Sequence, residues 1–530
     1  MPRFQIINFG CRANQADGSV LQDELSNHGL QAAIDGERPD IAVLNSCTVT
    51  AGADYSLRQA ARRLHRENPA IRILITGCYA QRCPEELAAL PGVAFVVGNS
   101  HKEAIAQLLC QNAPTPFTAN QAPLLAAGKD YAPLQLAAVG EQQSNAANHS
   151  SQFLPIEVLL HRDAAQTNVP HFSVFNTTRT DSAGEDYPEP SAASAPVKIL
   201  HSDLFAHTEP LSSPAWGGVR NAGSHERTRP NLKIQDGCGS RCSFCIIPSV
   251  RGRSRSLPHE AVLKQIRSLC QAGYREVVLS GINLGRYGRD LENGPGRESG
   301  FLQLLRSILQ ETTLERLRLS SVEPMDFSDQ LLDLMASSPR IAKHVHAPLQ
   351  SGSGRILRLM QRRYHPENYR DRIEAAYQRM PNAAFGADVM AGFPGESEQD
   401  FNDTRSLIAS LPFTYLHIFP FSRRPGTPAE QMKGHVHGTV IRERVRVLRE
   451  LAAEKNLTFR RKQLGRTLEV VTLHRAVNED AQASTPALSD HFLNVSISGA
   501  RLPANQLIRV RVSGLCGDGL AAMPETAATT

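Results

Sequence analysis

What this 530-residue sequence lacks narrows it first. No apolar run approaches the ~18 residues of a membrane span, so no spanning helix and no membrane partner are expected. The opening residues "MPRFQIINFG" show no basic segment followed by an apolar one, so a secretory signal is not expected and a cytoplasmic location is. Charge of one sign is not in excess: a formal +5 permits an anionic partner without demanding one. Aromatic residues are 6% of the chain, with one tryptophan, and no internal repeat is present. The length exceeds one ordinary core, so several domains are expected.

A further absence is more pointed. In "KIQDGCGSRCSFCIIPSVRGRSRS", residues 233–256, Cys238, Cys242 and Cys245 are spaced C-x3-C-x2-C, and no fourth cysteine follows closely. Structural zinc sites use four protein ligands, usually in paired C-x2-C halves. In a reducing compartment, patterned cysteines mean metal or catalysis more often than disulfides. Soft thiolates select zinc or iron–sulfur clusters. Four thiolates would close a four-iron cluster for electron transfer; three leave one iron open to a substrate. The alternative is a zinc site completed by a remote histidine or cysteine. Cys110, Cys270 and Cys516 follow no ligand pattern and are read as small buried hydrophobes.

Four segments are expected. Residues 1–111 alternate short apolar runs ("FQIINF", "IAVLNS", "IRILITG", "VAFVVG") with helical stretches, the rhythm of a parallel α/β sheet. Residues 112–228, rich in Ala, Ser, Pro, Asn and Gln, read as a low-complexity insert or linker. "FLPIEVLLH" within it is a short apolar piece whose docking place is open. Residues 229–460 return to strand–helix units, five or six of them, as in a complete or partial (β/α) barrel. Residues 461–525 switch to strands, a small all-β module.

A second set of cysteines is dispersed but regular. Cys11 in "NFGCRANQAD", Cys47 in "LNSCTVT" and Cys78 in "ITGCYAQ" each follow a predicted strand directly. Parallel strands would bring all three thiols to one carboxyl edge, where ligands bind in open α/β sheets. Cys83 is a rival ligand, although its place before Pro84 suits a helix start.

The C-x3-C-x2-C loop resembles that of the radical S-adenosylmethionine superfamily. That resemblance implies a cluster over the C-terminal mouth of the barrel, the face that carries active sites in related barrels. Polar residues ending the other predicted strands then become candidates for the cofactor site: Ser280, Gly281 and Asn283 in "LSGIN", Ser321 and Glu323 in "SSVEP", His346 and Gln350 in "HAPLQSG", and Asp388 in "GADVMAGFPGE". Each also has a plain reading as a turn or cap residue. No side chain is singled out as acid, base or nucleophile.

The order of sheet domain, barrel and β-module, with these cysteine contexts, resembles the methylthiotransferase family over residues 1 to ~110 and ~225 to ~520. The resemblance implies two [4Fe-4S] clusters: a radical-generating one on Cys238, Cys242 and Cys245, and an auxiliary, sulfur-carrying one on Cys11, Cys47 and Cys78. It implies two S-adenosylmethionine molecules per turnover, one methylating a cluster sulfur and one cleaved to a radical. It further implies a TRAM-like RNA-binding module, an electron donor such as flavodoxin or ferredoxin, and a tRNA anticodon stem-loop as substrate; the sulfur donor stays open. "KIQDGC", "RGRSRS", "HAPLQSGS" and "PFSRRPGTPA" look most like the branch acting on N6-threonylcarbamoyladenosine. Sibling branches act on isopentenyladenosine or on a ribosomal-protein aspartate. A non-catalytic metal-bearing RNA-binding protein is the alternative from another class. Independently, residues 442–466 hold nine Lys or Arg and three Glu, a basic stretch beside the β-module. With only Phe459 and Phe492 nearby, backbone contacts to RNA should outweigh stacking.

Overall fold

The computed structural model describes residues 2–33, 37–111, 156–159, 197–202, 204, 228–291, 300–474, 484–499 and 501–525. The first body is a parallel sheet of β1 (Arg3–Asn8), β2 (Gln31–Ala32), β3 (Ile41–Ser46), β4 (Arg72–Gly77), β5 (Val93–Gly98), β6 (Ile156–Leu159) and β7 (Val197–Leu200), in spatial order β2-β1-β3-β4-β5-β7-β6. All six residues of β3 are buried, as expected of a central strand covered on both faces. The Ala51–Glu67 helix starts where Thr50 caps the Ala53 amide, and it buries Leu57, Ala61 and Leu64 on one face.

Two strands of this sheet lie within 112–228, the stretch expected to be an insert. β7 pairs with β5 and β6 with β7, so the linker returns to extend the sheet. Gln81 Nε2 donates to Ser202 O at 2.9 Å and the Ser202 amide to Ser100 Oγ at 3.0 Å, fastening the end of β7. Four-residue runs such as "VKIL" are too short for periodicity to register; the open edge of β5 selects them. The Ala/Ser/Pro-rich remainder of the expected insert falls outside the described residues.

The second body is an open (β/α) barrel. Its parallel strands are β8 (Asn231–Asp236), β10 (Glu276–Gly281), β11 (Arg316–Leu319), β12 (His344–His346), β13 (Ala384–Ala391) and β14 (Tyr415–Pro420), with β9 (Arg255–Ser256) antiparallel to β8. The β11 and β12 ends join through a Leu317–Ile341 bridge and the Val322 amide on His346 O. Alternation along the strands sends Val277, Leu279, Leu317, Val345, Phe385, Ala387 and Ile418 into the core shared with the surrounding helices. The opposite residues, including Glu276, Arg316, Arg318, His344, His346, Asp388, Tyr415 and His417, line a polar chamber.

The last body is a closed barrel of β15 (Thr467–Thr472), β16 (Ser484–Ser489), β17 (Asn494–Ser498), β18 (Leu507–Cys516) and β19 (Gly519–Pro524), ordered β15-β16-β17-β19-β18. Its β16–β17 turn plugs the lower end of the chamber. Arg318 donates to Ser489 O and Asp490 O, both at 2.9 Å, and Phe492 packs 4.9 Å from the His344 ring. Both aromatics expected near RNA are therefore used internally, Phe492 here and Phe459 in the core of the closed barrel. The basic stretch is also less free than its composition suggests. Arg444 is buried against Glu396, Arg446 pairs with Glu443 and Glu450, Lys455 and Arg460 donate to carbonyls, and Arg466 donates to Asn382. Arg442, Arg449, Arg461 and Lys462 stay exposed. Cys516 is exposed at the end of β18 and Cys110 and Cys270 are half-buried, so none is the fully buried hydrophobe expected.

Glu276 anchors this lower end: fully buried, it faces Arg318 at 2.7 Å, Arg229 at 3.4 Å and Arg316 at 3.5 Å. Burial alone would raise its pKa, but the arginines hold it below the ordinary glutamate value. Its contribution is thus complete above about pH 4.3 and is lost as pH falls through the folded value. Glu276→Gln is expected to lower unfolding free energy by about 3 kcal/mol in guanidinium titrations at pH 7, since it strands buried cations. The gap to wild type should narrow in acid. Glu450→Gln, at an exposed pair, should change stability by less than about 1 kcal/mol.

Candidate active site

Three strand-end loops bring Cys11, Cys47 and Cys78 together. Gly10 has φ +90°, and a Cβ there would meet Cys47 Cβ at 2.3 Å, so only glycine lets the first loop lie on the second. Gly77, at φ +98°, approaches Ser46 O just as closely. Asn45 Nδ2 donates to Asn8 Oδ1 (2.9 Å) and Asn14 O (2.6 Å), and Asn14 Nδ2 donates to Ser46 O (2.6 Å). Ser46 Oγ accepts the amides of Tyr79 (3.1 Å) and Ala80 (3.3 Å), fixing the start of the Cys78–Arg82 helix. Burial, then the neighbouring thiols of Cys11 and Cys78, push the Cys47 thiol up to about 12. Asn99 Nδ2 lies 3.6 Å from Cys78 Sγ. Cys83 instead precedes the Pro84–Ala88 helix and packs against the sheet-domain core.

Cys238, Cys242 and Cys245 lie in the loop leaving β8. Gly237, at φ +69°, lets that loop pass within 1.9 Å of where its Cβ would touch Arg253 O. The loop is held by the Cys238 amide on Gly252 O (3.1 Å), the Ser243 amide on Met360 O (3.1 Å) and Ser243 Oγ on Leu359 O (2.8 Å). The Ser240 amide points at Cys238 Sγ at 3.4 Å and Arg362 Nη1 at Cys242 Sγ at 3.4 Å. Burial pushes the Cys245 thiol up to about 12. Clustered thiols ringed by N–H donors fit an iron–sulfur cluster in each set, since such donors tune cluster sulfur.

The two sets share one apolar partition. Cys78 packs with Ile246, Ile247 and Val250, and Cys238 and Cys245 pack against the same group. Beside it lies a buried ion network. Arg251 reaches Asp236 at 2.8 Å and Asp17 at 3.0 Å; Lys102 meets Asp17 and Lys233 meets Asp236, each at 2.7 Å; Lys233 also meets Asp17. Burial would raise the Asp17 carboxyl, yet Lys102, Lys233 and Arg251 hold it well below the usual carboxylate range. Three cations against two carboxylates leave one positive charge, and Arg251 interacts electrostatically with Cys78 and Cys11.

The strand-end residues separate into three groups. Asn283 Nδ2 stands 3.9 Å from Cys238 Sγ, and Glu323 pairs with Arg362, which contacts Cys242. Ser321 Oγ lies 2.7 Å from His346 Nδ1, and Asp388 lies 3.5 Å from His346 Nε2 and 3.2 Å from His417 Nδ1, forming a polar group inside the chamber. Ser280, Gly281 and Gln350 are packing and turn residues. The Ser280 side chain is buried over Leu232 O, Gly281 lies against Gln235, and Gln350 takes φ +64° with its amide on Asp388 O. Arg251, Arg362 and His417 were missed as site residues because their partners lie far away in sequence, and Arg12 because the ring it faces, Phe492, belongs to another domain.

The cysteine-topped open barrel defines a radical enzyme fold, and a model described as "Radical SAM superfamily" matches residues 232–408, so one [4Fe-4S] cluster and S-adenosylmethionine are implied. A second model, "Uncharacterized protein family UPF0004", matches residues 3–98. The chain is 30% identical to the threonylcarbamoyladenosine tRNA methylthiotransferase MtaB of Aquifex aeolicus over 95% of this chain and 98% of that protein. It is 28% identical to the tRNA-2-methylthio-N(6)-dimethylallyladenosine synthase of Pelotomaculum thermopropionicum over 95% and 96%. A radical S-adenosylmethionine methyltransferase structure, TsrM of Kitasatospora setae, aligns at TM-score 0.45 with 15% identity, covering 81% of this chain and 75% of that one. The protein belongs to the methylthiotransferase family of radical S-adenosylmethionine enzymes, which transfer sulfur-containing groups. Among the described residues, no helix is long and apolar enough to cross a membrane.

The thiol environments predict an order of reaction. In metal-free, reduced protein at pH 7, a disulfide reagent should label the exposed Cys11 and Cys516 first and leave the buried Cys47 and Cys78 slowest. Equal labelling rates, read by peptide mass spectrometry, would contradict this geometry.

Proposed function

We propose that the protein inserts a methylthio group at C2 of N6-threonylcarbamoyladenosine beside the anticodon of tRNA. The reading is carried by the two three-thiol sets facing one partition of Ile246, Ile247 and Val250. Cys238, Cys242 and Cys245 hold the radical [4Fe-4S] cluster, and Cys11, Cys47 and Cys78 hold an auxiliary one. When bound, the clusters and S-adenosylmethionine supply the radical that opens an unactivated C–H bond and the sulfur that replaces the hydrogen.

The chain's own residues position and shield. Arg362, held by Glu323, orients Cys242, while Asn283 flanks Cys238. Phe492 and the β16–β17 turn close the chamber below, limiting the water that could quench a reactive intermediate. The lining of Ser321, His346, Asp388 and His417 suits a hydroxylated, carboxylate-bearing substituent better than an apolar dimethylallyl group. Exposed Arg442, Arg449, Arg461 and Lys462, beside the C-terminal barrel, offer phosphate contacts to an anticodon stem-loop. A protein such as flavodoxin or ferredoxin delivers the electron.

Anaerobically purified protein should carry about eight irons, as two four-iron clusters. Cys47→Ala and Cys238→Ala should each remove about half of that iron; stoichiometric zinc would defeat the reading. In tRNA from a strain lacking the gene, mass spectrometry should find the threonylcarbamoyladenosine without its methylthio group. Unchanged methylthiolated nucleoside would refute the substrate assignment.

A further inference from the structure

The chamber holds a cation that, among the described residues, forms no ion pair. Arg12 opens the Arg12–Asn27 helix, directly after Cys11, and its backbone carbonyl is tied to the barrel by Asn231 Nδ2 at 2.7 Å. Its half-buried guanidinium lies 5.4 Å from the Phe492 ring centroid and interacts electrostatically with Tyr415 and Asp388 inside the chamber. Among the described residues it has no ion pair and no side-chain hydrogen bond; it feels Glu276 only at a distance, whereas Arg229, Arg316 and Arg318 nearby pair with that carboxylate directly. A partly desolvated guanidinium with five donors and no acceptor is a costly arrangement unless an anion completes it.

His417 lines the same chamber. Its ring is half-exposed, 5.2 Å from the His346 ring and 5.4 Å from Tyr415, and Asp388 engages its Nδ1 at 3.2 Å. Asp388 lies 3.5 Å from His346 Nε2 and 3.2 Å from His417 Nδ1, so its carboxylate is engaged by the two imidazoles and orients them. His417 Nε2 is left to meet a ligand.

We infer that Arg12, in the chamber that His417 also lines, receives the carboxylate of the N6 substituent on the substrate adenosine, and so selects a threonylcarbamoyl over a dimethylallyl group. This rests on the tRNA-adenosine reading above and adds the residues that read the substituent. The chemistry of the base supports the placement. C2 and C6 of adenine both flank N1, so a group on N6 shares an edge with the reacting carbon. A receptor for that group must therefore lie close to the sulfur source, and Arg12 is the residue next to Cys11. Guanidinium and carboxylate pair through two parallel N–H bonds, an interaction an apolar five-carbon chain cannot make.

The test is binding of the full, anaerobically purified chain to four anticodon stem-loop RNAs, followed by fluorescence anisotropy. The loops carry adenosine, its threonylcarbamoyl form, the methyl ester of that form, or dimethylallyladenosine. Wild type should favour the free carboxylate over its ester by roughly tenfold to a hundredfold, the range for a hydrogen bond to a charged group. Arg12→Gln should bind all four alike, Arg12→Lys should keep part of the preference, and His417→Ala should reduce it. Iron content and melting temperature report whether each variant folds; should Arg12→Gln fail, Arg12→Lys and His417→Ala decide, because His417 lies on an exposed strand face. Full preference in the folded variants overturns the inference. So does a wild type blind to the ester, while formation of the methylthiolated threonylcarbamoyl nucleoside would still uphold the substrate reading. Wild-type preference for the dimethylallyl loop overturns both.

Discussion

Five buried charges between the sheet domain and the barrel hold the two thiol sets in register. Arg251, Lys233 and Lys102 surround Asp17 and Asp236, and the helix bearing Asp17 starts at the loop bearing Cys11. Burying ions is expensive, and such networks are poor sources of net stability compared with apolar packing. Their geometry is nevertheless demanding, because shifting one partner strands another. Two thiol sets carried by different domains need that kind of fixed relation. The residual positive charge of this network lies beside Cys78 and Cys11.

A second constraint follows from strand alternation. The barrel turns its apolar residues outward to the helices, leaving a chamber lined by arginine, histidine, aspartate and tyrosine. No single domain encloses it. The sheet domain contributes Arg12, the barrel contributes His346, Asp388 and His417, and the C-terminal barrel inserts Phe492 beneath His344 and Tyr415. The C-terminal module is thus part of the chamber wall.

How much could be read beforehand depended on distance along the chain. The gathering of each cysteine set was legible from local pattern: Cys11, Cys47 and Cys78 each follow a strand, and Cys238, Cys242 and Cys245 share the loop after β8. The parallel sheet and the barrel were legible for the same reason. β7 was not, since four residues carry no period and their pairing depends on the edge of β5. Glu323 was found as a strand-end carboxylate, but its connection to Cys242 runs through Arg362, 39 residues away. Arg251 meets Asp17 across 234 residues, and no local motif predicts that contact. At Gln350 the structure adds what the sequence does not announce, a left-handed backbone in the turn. The basic 442–466 stretch showed how composition overstates a surface, because partners within the chain had already taken five of its nine cations.

The central claim is that both thiol sets occupy one rigid unit and face each other across a thin apolar wall. Electron paramagnetic resonance of the dithionite-reduced, fully loaded chain tests it directly. The account predicts mutual spin coupling, with broadened lines and shortened relaxation that vanish in Cys47→Ala, where one set is broken. A spectrum that is the simple sum of the two single-set variants would place the sets too far apart and contradict the account.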